Sequence, residues 1–467
     1  MTAIDEIKEA VGPKGYHQDI RTMAPYLADW RGNFSGSASI IVMPKSTAEV
    51  SAVVKICARN GVAMVPQGGN TGLVRGGIPT DTGDQVVINL SRMNKILEVD
   101  AASFTLTTEA GATTEAVQQA AREADRLFPL SLAAEGSCQI GGNIATNAGG
   151  IHVLRYGNSR DLVLGLEVVL PDGQIWDGQS ALRKDNTGYD LKQLFIGAEG
   201  SLGIITGAVL KLFPAPKAIE TAFIGCNSAE DALSMLARFR EVKGDHLTAF
   251  EIFPRQGLEL VLKHIPDTRD PLADAHPWYA LVEFWAANAN EPLKDAMEEM
   301  LAKMLEAGLG SDAAIPASIE QRKAMWKLRE SFAEALRAEG AGLAFDISVP
   351  VARIPEFIAR ADEAVEALLP GALAVGFGHA GDGNVHYNLG PPPGMARQEL
   401  MAIADKLSRA VHDIAVGLGG SISAEHGIGR QRRAELAHYK DDLSLSMMRG
   451  IKASLDPENL MNPGVIL

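Results

Sequence analysis

The chain has 467 residues, a hydrophobic content of 46% and a formal net charge of −15 at pH 7. A chain of this length exceeds what one compact core usually contains, so two or three domains are expected. The acidic balance argues against nucleic acid or an anionic membrane surface as the main partner. The three cysteines, Cys57, Cys138 and Cys226, are widely spaced, which argues against a disulfide framework or a cysteine zinc site.

The N-terminus has mixed charge and lacks the apolar stretch of a signal peptide. No apolar run approaches the ~18–20 residues that a membrane-spanning helix needs. The sequence therefore predicts a cytoplasmic protein without an integral membrane segment.

The predicted elements begin with a helical segment and a polar loop over residues 1–36. Residues 39–69 then read as strand, helix, strand, with Ser46 and Thr47 as candidate helix caps. Further strands are predicted in residues 84–93, 165–176 and 203–213. The second of these contains a Pro-Asp-Gly hairpin signal.

A domain boundary is predicted at Pro214-Ala215-Pro216, because closely spaced prolines interrupt regular structure. Beyond it, long amphipathic helices alternate with apolar strands such as residues 278–286, which indicates α+β layers. Residues 325–340 read as one amphipathic helix. The last residues, 455–467, read as a short loop with two prolines.

Three glycine-rich segments are the strongest functional signal. Residues 66–77, PQGGNTGLVRGG, hold five glycines in twelve residues directly after an apolar strand. They fit neither G-x-G-x-x-G nor the P-loop pattern, but their backbone amides could form an anion-binding nest. A plain surface turn is the alternative for this segment alone. Residues 135–161 and 197–206 have the same character, so the three together indicate one extended, phosphate-bearing ligand.

A second signal lies in GFGHAGDGNVHYN, residues 376–388. Its G-x-G-x-x-G spelling is treated as coincidence, because no helix is predicted after it. Asp382-Gly383 predicts a type I′ turn, which would place His379 opposite His386 and Phe377 opposite Asn388. The two imidazoles would then form half of a metal site, with Cβ atoms roughly 4.5–5.5 Å apart. Two histidines satisfied near a turn are the alternative.

Glu425 and His426, in SAEHGIGRQRR, extend this signal. A glutamate can complete a His-His-carboxylate set, which suits zinc, iron or manganese and leaves positions open for a substrate. A surface loop with an ion pair is the alternative reading.

These motifs together resemble the vanillyl-alcohol oxidase/p-cresol methylhydroxylase flavoproteins. Within that superfamily they are most similar to the D-2-hydroxyacid dehydrogenase branch, which includes D-2-hydroxyglutarate and D-lactate dehydrogenases and the catalytic subunit of glycolate oxidase. The resemblance implies an α+β fold with a two-subdomain FAD-binding domain over residues 37–216. It further implies an α+β cap domain with an antiparallel sheet over residues 217–424, and a segment, 425–467, that returns to the flavin site.

The resemblance also implies roles for individual residues. FAD would be bound noncovalently, because the 66–77 loop has neither histidine nor cysteine. The implied cofactor-binding residues are Pro66, Gly68, Gly69, Asn70, Thr71, Gly72, Ser137, Gly141, Gly142, Asn143, Thr146, Gly150, Ile204, Ile205 and Asn462. The implied metal ligands are His379, His386 and Glu425, with zinc favoured over manganese or iron. His426 would be the catalytic base, and Arg329 and Asn388 would bind the substrate.

Two positions depart from the D-2-hydroxyglutarate branch. Its members carry a threonine one turn after the substrate arginine and a lysine before the D-x-S-x-P stretch, where this chain has Ala333 and Ala344. Asp346, Ser348 and Pro350 of that stretch are retained. The substrate is therefore expected to be a smaller or more apolar 2-hydroxyacid, or malate. From the sequence alone, Arg329 could also be a solvated ion-pairing residue.

The expected reaction is oxidation of a D-2-hydroxyacid to the 2-oxo acid, with hydride transfer to FAD. The metal would lower the hydroxyl pKa and His426 would accept the proton. An electron-transferring flavoprotein, a quinone or a cytochrome would reoxidise the enzyme, which is expected to be a homodimer. A metal-independent flavin oxidase of an alcohol or sugar, or a flavin-binding subunit of a larger oxidase, is the alternative. A nicotinamide-linked dehydrogenase is disfavoured.

Overall fold

A computed structural model describes residues 2–30, 32 and 34–467. The chain forms two compact units. The first comprises Met1–Gly150, Gly157–Ala215 and Glu425–Leu467, and the second comprises Ile151–Tyr156 and Pro216–Ala424. The sequence analysis did not predict that the short segment Ile151–Tyr156 belongs to the second unit. None of the helices in the described part of the chain combines the length and apolar composition that crossing a bilayer requires.

The elements up to the Ala215–Pro216 boundary belong to the first unit, except α6. In chain order they are α1 (Ala3–Val11), β1 (Tyr16–His17), α2 (Ile20–Leu27), β2 (Ile40–Val42), α3 (Thr47–Asn60), β3 (Met64–Gln67), β4 (Val86–Asn89), β5 (Ile96–Asp100), β6 (Thr105–Glu109), α4 (Thr114–Glu123), β7 (Arg126–Leu127), α5 (Ile140–Ala145), α6 (Val153–Tyr156), α7 (Ser159–Leu162), β8 (Val163–Val169), β9 (Ile175–Gly178), α8 (Lys192–Phe195), β10 (Ile204–Lys211) and β11 (Phe213–Pro214).

The remaining elements belong to the second unit, except α17 and α18. They are β12 (Ala218–Cys226), α9 (Ala229–Lys243), β13 (Leu247–Pro254), α10 (Arg255–His264), β14 (Trp278–Ala286), α11 (Leu293–Glu306), β15 (Asp312–Ala314), α12 (Ile319–Glu330), α13 (Phe332–Glu339), β16 (Leu343–Ser348), α14 (Ile354–Leu368), β17 (Leu373–His379), β18 (Asn384–Gly390), α15 (Arg397–Ala402), α16 (Ala404–Gly417), α17 (Arg433–Tyr439) and α18 (Asp442–Leu455). A 3₁₀ turn, Val351–Arg353, precedes α14.

The first unit begins with a sheet in the order β1-β2-β4-β3, in which β2, β4 and β3 are parallel. The predicted strand–helix–strand of residues 39–69 is confirmed as β2, α3 and β3. Ser46 is the N-cap of α3, and its side chain accepts a hydrogen bond from the Glu49 amide at 3.2 Å. This bond satisfies one of the amides that a helix leaves unpaired at its start.

A second sheet of the first unit is antiparallel, in the order β5-β6-β10-β8-β9. The predicted Pro-Asp-Gly hairpin is confirmed between β8 and β9. Gly173 has φ +84°, and a Cβ there would lie 2.4 Å from a Lys55 side-chain carbon. Both conditions favour glycine at this turn.

The C-terminal residues of the first unit lie against β3. Met461 forms a parallel bridge with Met64, and the Met64 amide donates to the Leu460 carbonyl at 2.8 Å. Asp456, a buried residue, accepts hydrogen bonds from the amides of Leu460 and Met461. The loop predicted at the end of the chain is confirmed, and these bonds hold it in place.

The second unit is built on one sheet in the order β15-β12-β14-β13-β17-β18-β16, with antiparallel neighbours throughout. Helices cover both faces. One core includes residues of α9, α11, α14 and α16, and the other includes residues of α10, α12 and α13. The predicted α+β cap with an antiparallel sheet is therefore confirmed.

The predicted register of the β17–β18 hairpin is wrong by two residues. Phe377 pairs with His386, and Val375 pairs with Asn388. The strands are joined by residues 380–383, not by a two-residue turn. Gly383 has φ +91°, but Asp382 lacks the positive φ that a type I′ turn needs at both positions. Instead, the Asp382 side chain accepts a hydrogen bond from the Asn384 amide at 3.1 Å.

The single helix predicted over residues 325–340 is also wrong, because the chain forms α12 and α13 with Ser331 between them. Serine supports a helix interior poorly, since its hydroxyl competes for backbone hydrogen bonds. After the break, Phe332 is fully buried beside Gly257, where a Cβ would lie 2.3 Å from its ring. Periodicity alone could not predict this interruption.

Candidate functional site

The first unit contains a cleft that the three glycine-rich segments line together. The predicted cofactor residues on its walls are Pro66, Gly68, Gly69, Asn70, Thr71, Gly72, Gly141, Gly142, Asn143, Thr146, Ile204 and Ile205. His426 lines the same cleft. The sequence prediction that these separate segments form one site is thus matched by their positions.

The 68–72 loop has two features that suit an anion. Asn70 has φ +55°, and its side-chain amide donates to the carbonyls of Pro25 and Ala28. The backbone amides of residues 68–72 donate to no protein acceptor within the described part of the chain. Unpaired amides turned around a left-handed residue are suited to a phosphate group.

Two buried polar atoms on the cleft wall support the same reading. Gln139 Oε1 and Arg75 Nε are buried and find no hydrogen-bond partner among the described residues. Buried polar atoms are rarely left unpaired in native proteins, so a polar ligand is expected to complete them. A long ligand with a pyrophosphate and a polar ring system, as FAD is, fits this donor set.

Ser137, Gly150 and Asn462 do not line the cleft, although the sequence analysis placed them among the cofactor residues. Ser137 lies behind it, since a Cβ on Gly69 would meet the Ser137 carbonyl oxygen at 1.9 Å. A Cβ on Gly150 would likewise lie 1.9 Å from the Ser131 carbonyl oxygen. Glycine at positions 69 and 150 therefore allows the backbone segments of these loops to pack closely.

Asn462 also acts from behind the cleft. Its buried side-chain amide donates to the carbonyls of Gly76 and Glu199, both at 2.9 Å, and its Oδ1 accepts from Arg430 at 3.0 Å. The C-terminal segment therefore joins two of the glycine-rich loops.

Glu199, a buried acid on the cleft wall, is not among the cofactor residues predicted from the sequence. Its carboxylate accepts hydrogen bonds from the amides of Ile428 at 2.8 Å and Gly429 at 2.7 Å. Burial raises the pKa of the Glu199 carboxyl, although these two bonds act in the opposite direction. An acid between Ala198 and Gly200 in the glycine-rich stretch GAEGSLG was the available signal.

Glu425 and His426 are half-buried neighbours in the first unit. A Glu425 carboxylate oxygen lies 4.0 Å from His426 Nε2. Gly427 and Gly429 follow, with φ +82° and +54°. This backbone allows the segment to turn sharply directly after His426.

The second unit contains a polar row on one face of its sheet. Glu251 on β13 pairs with His379 on β17, and its carboxylate accepts a hydrogen bond from His379 Nδ1 at 2.6 Å. Arg329 on α12 donates to the same carboxylate at 2.6 Å. Burial would raise the pKa of Glu251, but the interactions with Arg329 and His379, which include a hydrogen bond from each, outweigh it and hold the pKa below its usual range.

His379 and His386 come together despite the corrected register. Their ring centroids are 5.2 Å apart and the rings are nearly perpendicular. A shift of two residues keeps a side chain on the same sheet face, because side chains alternate with a period of two. Asp346, which pairs with His386 across β16 and β18, has a carboxylate oxygen 3.8 Å from His386 Nδ1.

Arg329 is neither solvated nor on the surface. It is buried with its guanidinium over the Phe377 ring, 4.8 Å from the centroid, and its Nη2 has no hydrogen-bond partner among the described residues. Asn388 is half-buried, lies between Val375 and Ala344, and donates to the His386 carbonyl at 3.2 Å. The predicted Phe377–Asn388 pair is therefore wrong.

Comparison with known families agrees with this architecture. Residues 38–178 match the family described as "FAD binding domain", and residues 215–466 match "FAD linked oxidases, C-terminal domain". The cleft lies within the unit that contains the first match.

Among similar proteins, a mitochondrial D-2-hydroxyglutarate dehydrogenase of Arabidopsis thaliana is 37% identical over 464 residues, covering 99% of this chain and 81% of that protein. A D-2-hydroxyglutarate dehydrogenase of Xanthomonas citri is 39% identical over 439 residues, covering 94% of this chain and 91% of that protein.

Among solved structures, p-cresol methylhydroxylase with substrate bound has a TM-score of 0.76 at 16% identity, covering 99% of this chain and 95% of that chain. At this identity the likeness concerns the fold alone. The family matches and the similar dehydrogenases establish the class. The chain belongs to the FAD-linked oxidases, contains an FAD-binding domain, shares the fold of p-cresol methylhydroxylase, and is an oxidoreductase that acts on CH–OH groups.

Proposed function

We propose that the chain oxidises a D-2-hydroxyacid to the 2-oxo acid, with noncovalent FAD and a divalent metal, zinc in the first instance. The observation that carries the proposal is the histidine pair with Glu251 behind it. The similar proteins named D-2-hydroxyglutarate dehydrogenase support the same reaction class.

His379, His386 and Glu425 would hold the metal. The ionised Glu251 carboxylate fixes the proton of His379 on Nδ1, which leaves the Nε2 lone pair for a ligand bond. Carboxylate–histidine pairs of this kind orient metal-binding imidazoles in many proteins. Glu425 is the third ligand that the sequence motif SAEHGIG implies.

The chain's own groups would handle substrate and proton. A bound divalent metal supplies Lewis acidity toward the substrate's hydroxyl and carboxylate oxygens, and bound FAD supplies the hydride acceptor. His426, on the wall of the FAD cleft, would accept the hydroxyl proton on an imidazole nitrogen. Arg329 Nη2 and the Asn388 amide would bind the substrate carboxylate. The electron acceptor, the homodimer and the cytoplasmic location stay predictions from sequence.

The substrate side chain is proposed to be uncharged or small. Ala344 pairs directly with Asn388, so its methyl group lies beside the proposed substrate residue. A lysine in the related branch would supply a cation at this position, and this chain has none there. A second substrate carboxylate would therefore lack its partner.

The first test is anaerobic mixing of the FAD-loaded protein with D- and L-2-hydroxyacids while the flavin absorbance is followed. We expect bleaching by a D-acid, loss of bleaching after EDTA, and recovery when zinc or manganese is added. L-acids serve as the control for stereochemistry. Rapid bleaching that EDTA leaves unchanged would contradict the metal and favour a metal-independent oxidase.

Glu251→Gln tests the support of the metal ligand. The variant loses the anion that fixes His379, so metal affinity should fall by about 10–100-fold. Metal content after dialysis against buffered zinc measures this. Glu283→Gln is a matched control, because Glu283 is another buried acid of the same sheet, bound to Thr221, Trp285 and Trp326. Equal zinc retention by both variants would remove Glu251 from this role.

Ala344→Lys tests substrate selection. A cation beside Asn388 should raise kcat/KM for D-2-hydroxyglutarate relative to D-lactate by about tenfold or more, because a charged hydrogen bond contributes about 1.5–3 kcal/mol. Ala344→Met gives similar length without charge and should not produce this shift. If the ratio of the two kcat/KM values is unchanged in Ala344→Lys, position 344 does not determine which substrate is preferred.

A further inference from the structure

Glu199 joins three segments of the first unit at the cleft. Its carboxylate accepts the amides of Ile428 and Gly429 with one oxygen each, at 2.8 and 2.7 Å. Its own amide donates to the Ala145 carbonyl at 2.7 Å. Its carbonyl accepts the Asn462 side chain at 2.9 Å. The residue is therefore fixed at both its backbone and its side chain.

Two further features show that the position is specialised. Glu199 has φ +50°, a left-handed conformation that is uncommon outside glycine and is maintained only where surrounding contacts determine it. A Cβ on Gly427 would lie 2.8 Å from Glu199 Oε1, so the backbone after His426 can approach only because residue 427 is glycine. The Glu199 carboxylate therefore occupies space that a side chain at position 427 would need.

The two bonded amides lie two and three residues after His426. Each amide donates to a different oxygen of the carboxyl group, so the two bonds need both oxygens as acceptors. Glutamine at this position would replace one acceptor oxygen with an NH₂ donor and would leave one amide on the cleft wall without an acceptor. The position of His426 would then depend on a segment that is free to shift.

We propose that Glu199 is a positioning residue that anchors residues 427–429 and thereby holds His426 at the FAD cleft. The inference rests on the proposed function, because His426 acts as the base only there. Glu199 itself does not exchange a proton with the substrate in this account.

Hydrogen exchange followed by mass spectrometry on the FAD-loaded protein tests the anchor. In Glu199→Gln, the peptide that covers residues 427–431 should exchange about 10–100-fold faster, because an amide that is left without its acceptor opens more often. Glu167→Gln is the control. Glu167 is an acid of the same unit that accepts hydrogen bonds from Thr47 and Thr206, and this variant should leave the peptide unchanged.

Flavin reduction by D-lactate at saturating concentration gives the second readout. The rate per bound FAD in Glu199→Gln should fall about tenfold or more, with the amount of bound FAD read from absorbance. Gly427→Ala should give the same two effects, because the new Cβ would press on Glu199 Oε1 and strain the φ of +82°. This second variant leaves the carboxylate itself intact.

The outcomes separate this inference from the proposed function. Unchanged exchange in Glu199→Gln, or faster exchange with a wild-type rate of flavin reduction, would overturn the positioning role. If His426→Ala reduces flavin as fast as wild type, the base assignment fails instead. If no hydroxyacid bleaches the wild-type flavin, the proposed function fails and the exchange result alone decides whether Glu199 anchors the segment.

Discussion

The proposed chemistry of the second unit depends on the hydrogen bonds that Arg329 and His379 both make to the Glu251 carboxylate. A buried charge is costly unless charges of opposite sign and hydrogen bonds compensate it. Arg329 and His379 provide this compensation from an α-helix and a neighbouring strand. In return, Glu251 fixes the direction of the guanidinium and the tautomer of the imidazole. One buried anion thus determines how two proposed functional side chains face their ligands.

In the first unit, the cleft is suited to bind a long cofactor mainly through backbone groups. Glycines at positions such as Gly69 and Gly141 let separate loops approach within distances that a side chain would prevent. The amides of residues 68–72 donate to no acceptor among the described residues and would therefore be available to the ligand. Asn462 and Glu199 tie these loops to the C-terminal segment, so the cleft depends on residues far apart in sequence.

Local patterns predicted much of this architecture. The apolar periods of residues 39–69 and the glycine-rich loops gave the elements and the cofactor class, because these signals lie within short stretches of chain. The β17–β18 register failed because Asp382-Gly383 suggested a two-residue turn, whereas the side chain of Asp382 stabilises a longer one. His379 and His386 still met, since the error was an even number of residues.

Other features had no local signal. Glu251 is 128 residues from His379 and 78 residues from Arg329 in the sequence. Its contact with His379 depends on the pairing of β13 with β17, and its contact with Arg329 depends on where α12 packs. Arg329 looked like a surface residue because an amphipathic helix does not show which partner its buried face will meet. Glu199 did have a weak local signal, an acid in a glycine-rich loop, but its hydrogen bonds to Ile428 and Gly429 could be recognised only with the C-terminal segment in place.

The proposed chemistry depends on a metal that binds where the two histidine rings converge. A crystal structure of the protein grown with zinc, with anomalous data on both sides of the zinc absorption edge, would locate this metal. We expect one anomalous peak within bonding distance, about 2.0–2.1 Å, of His379 Nε2 and of a His386 nitrogen. A zinc-loaded crystal with no peak there, or a peak at another group of ligands, would contradict it.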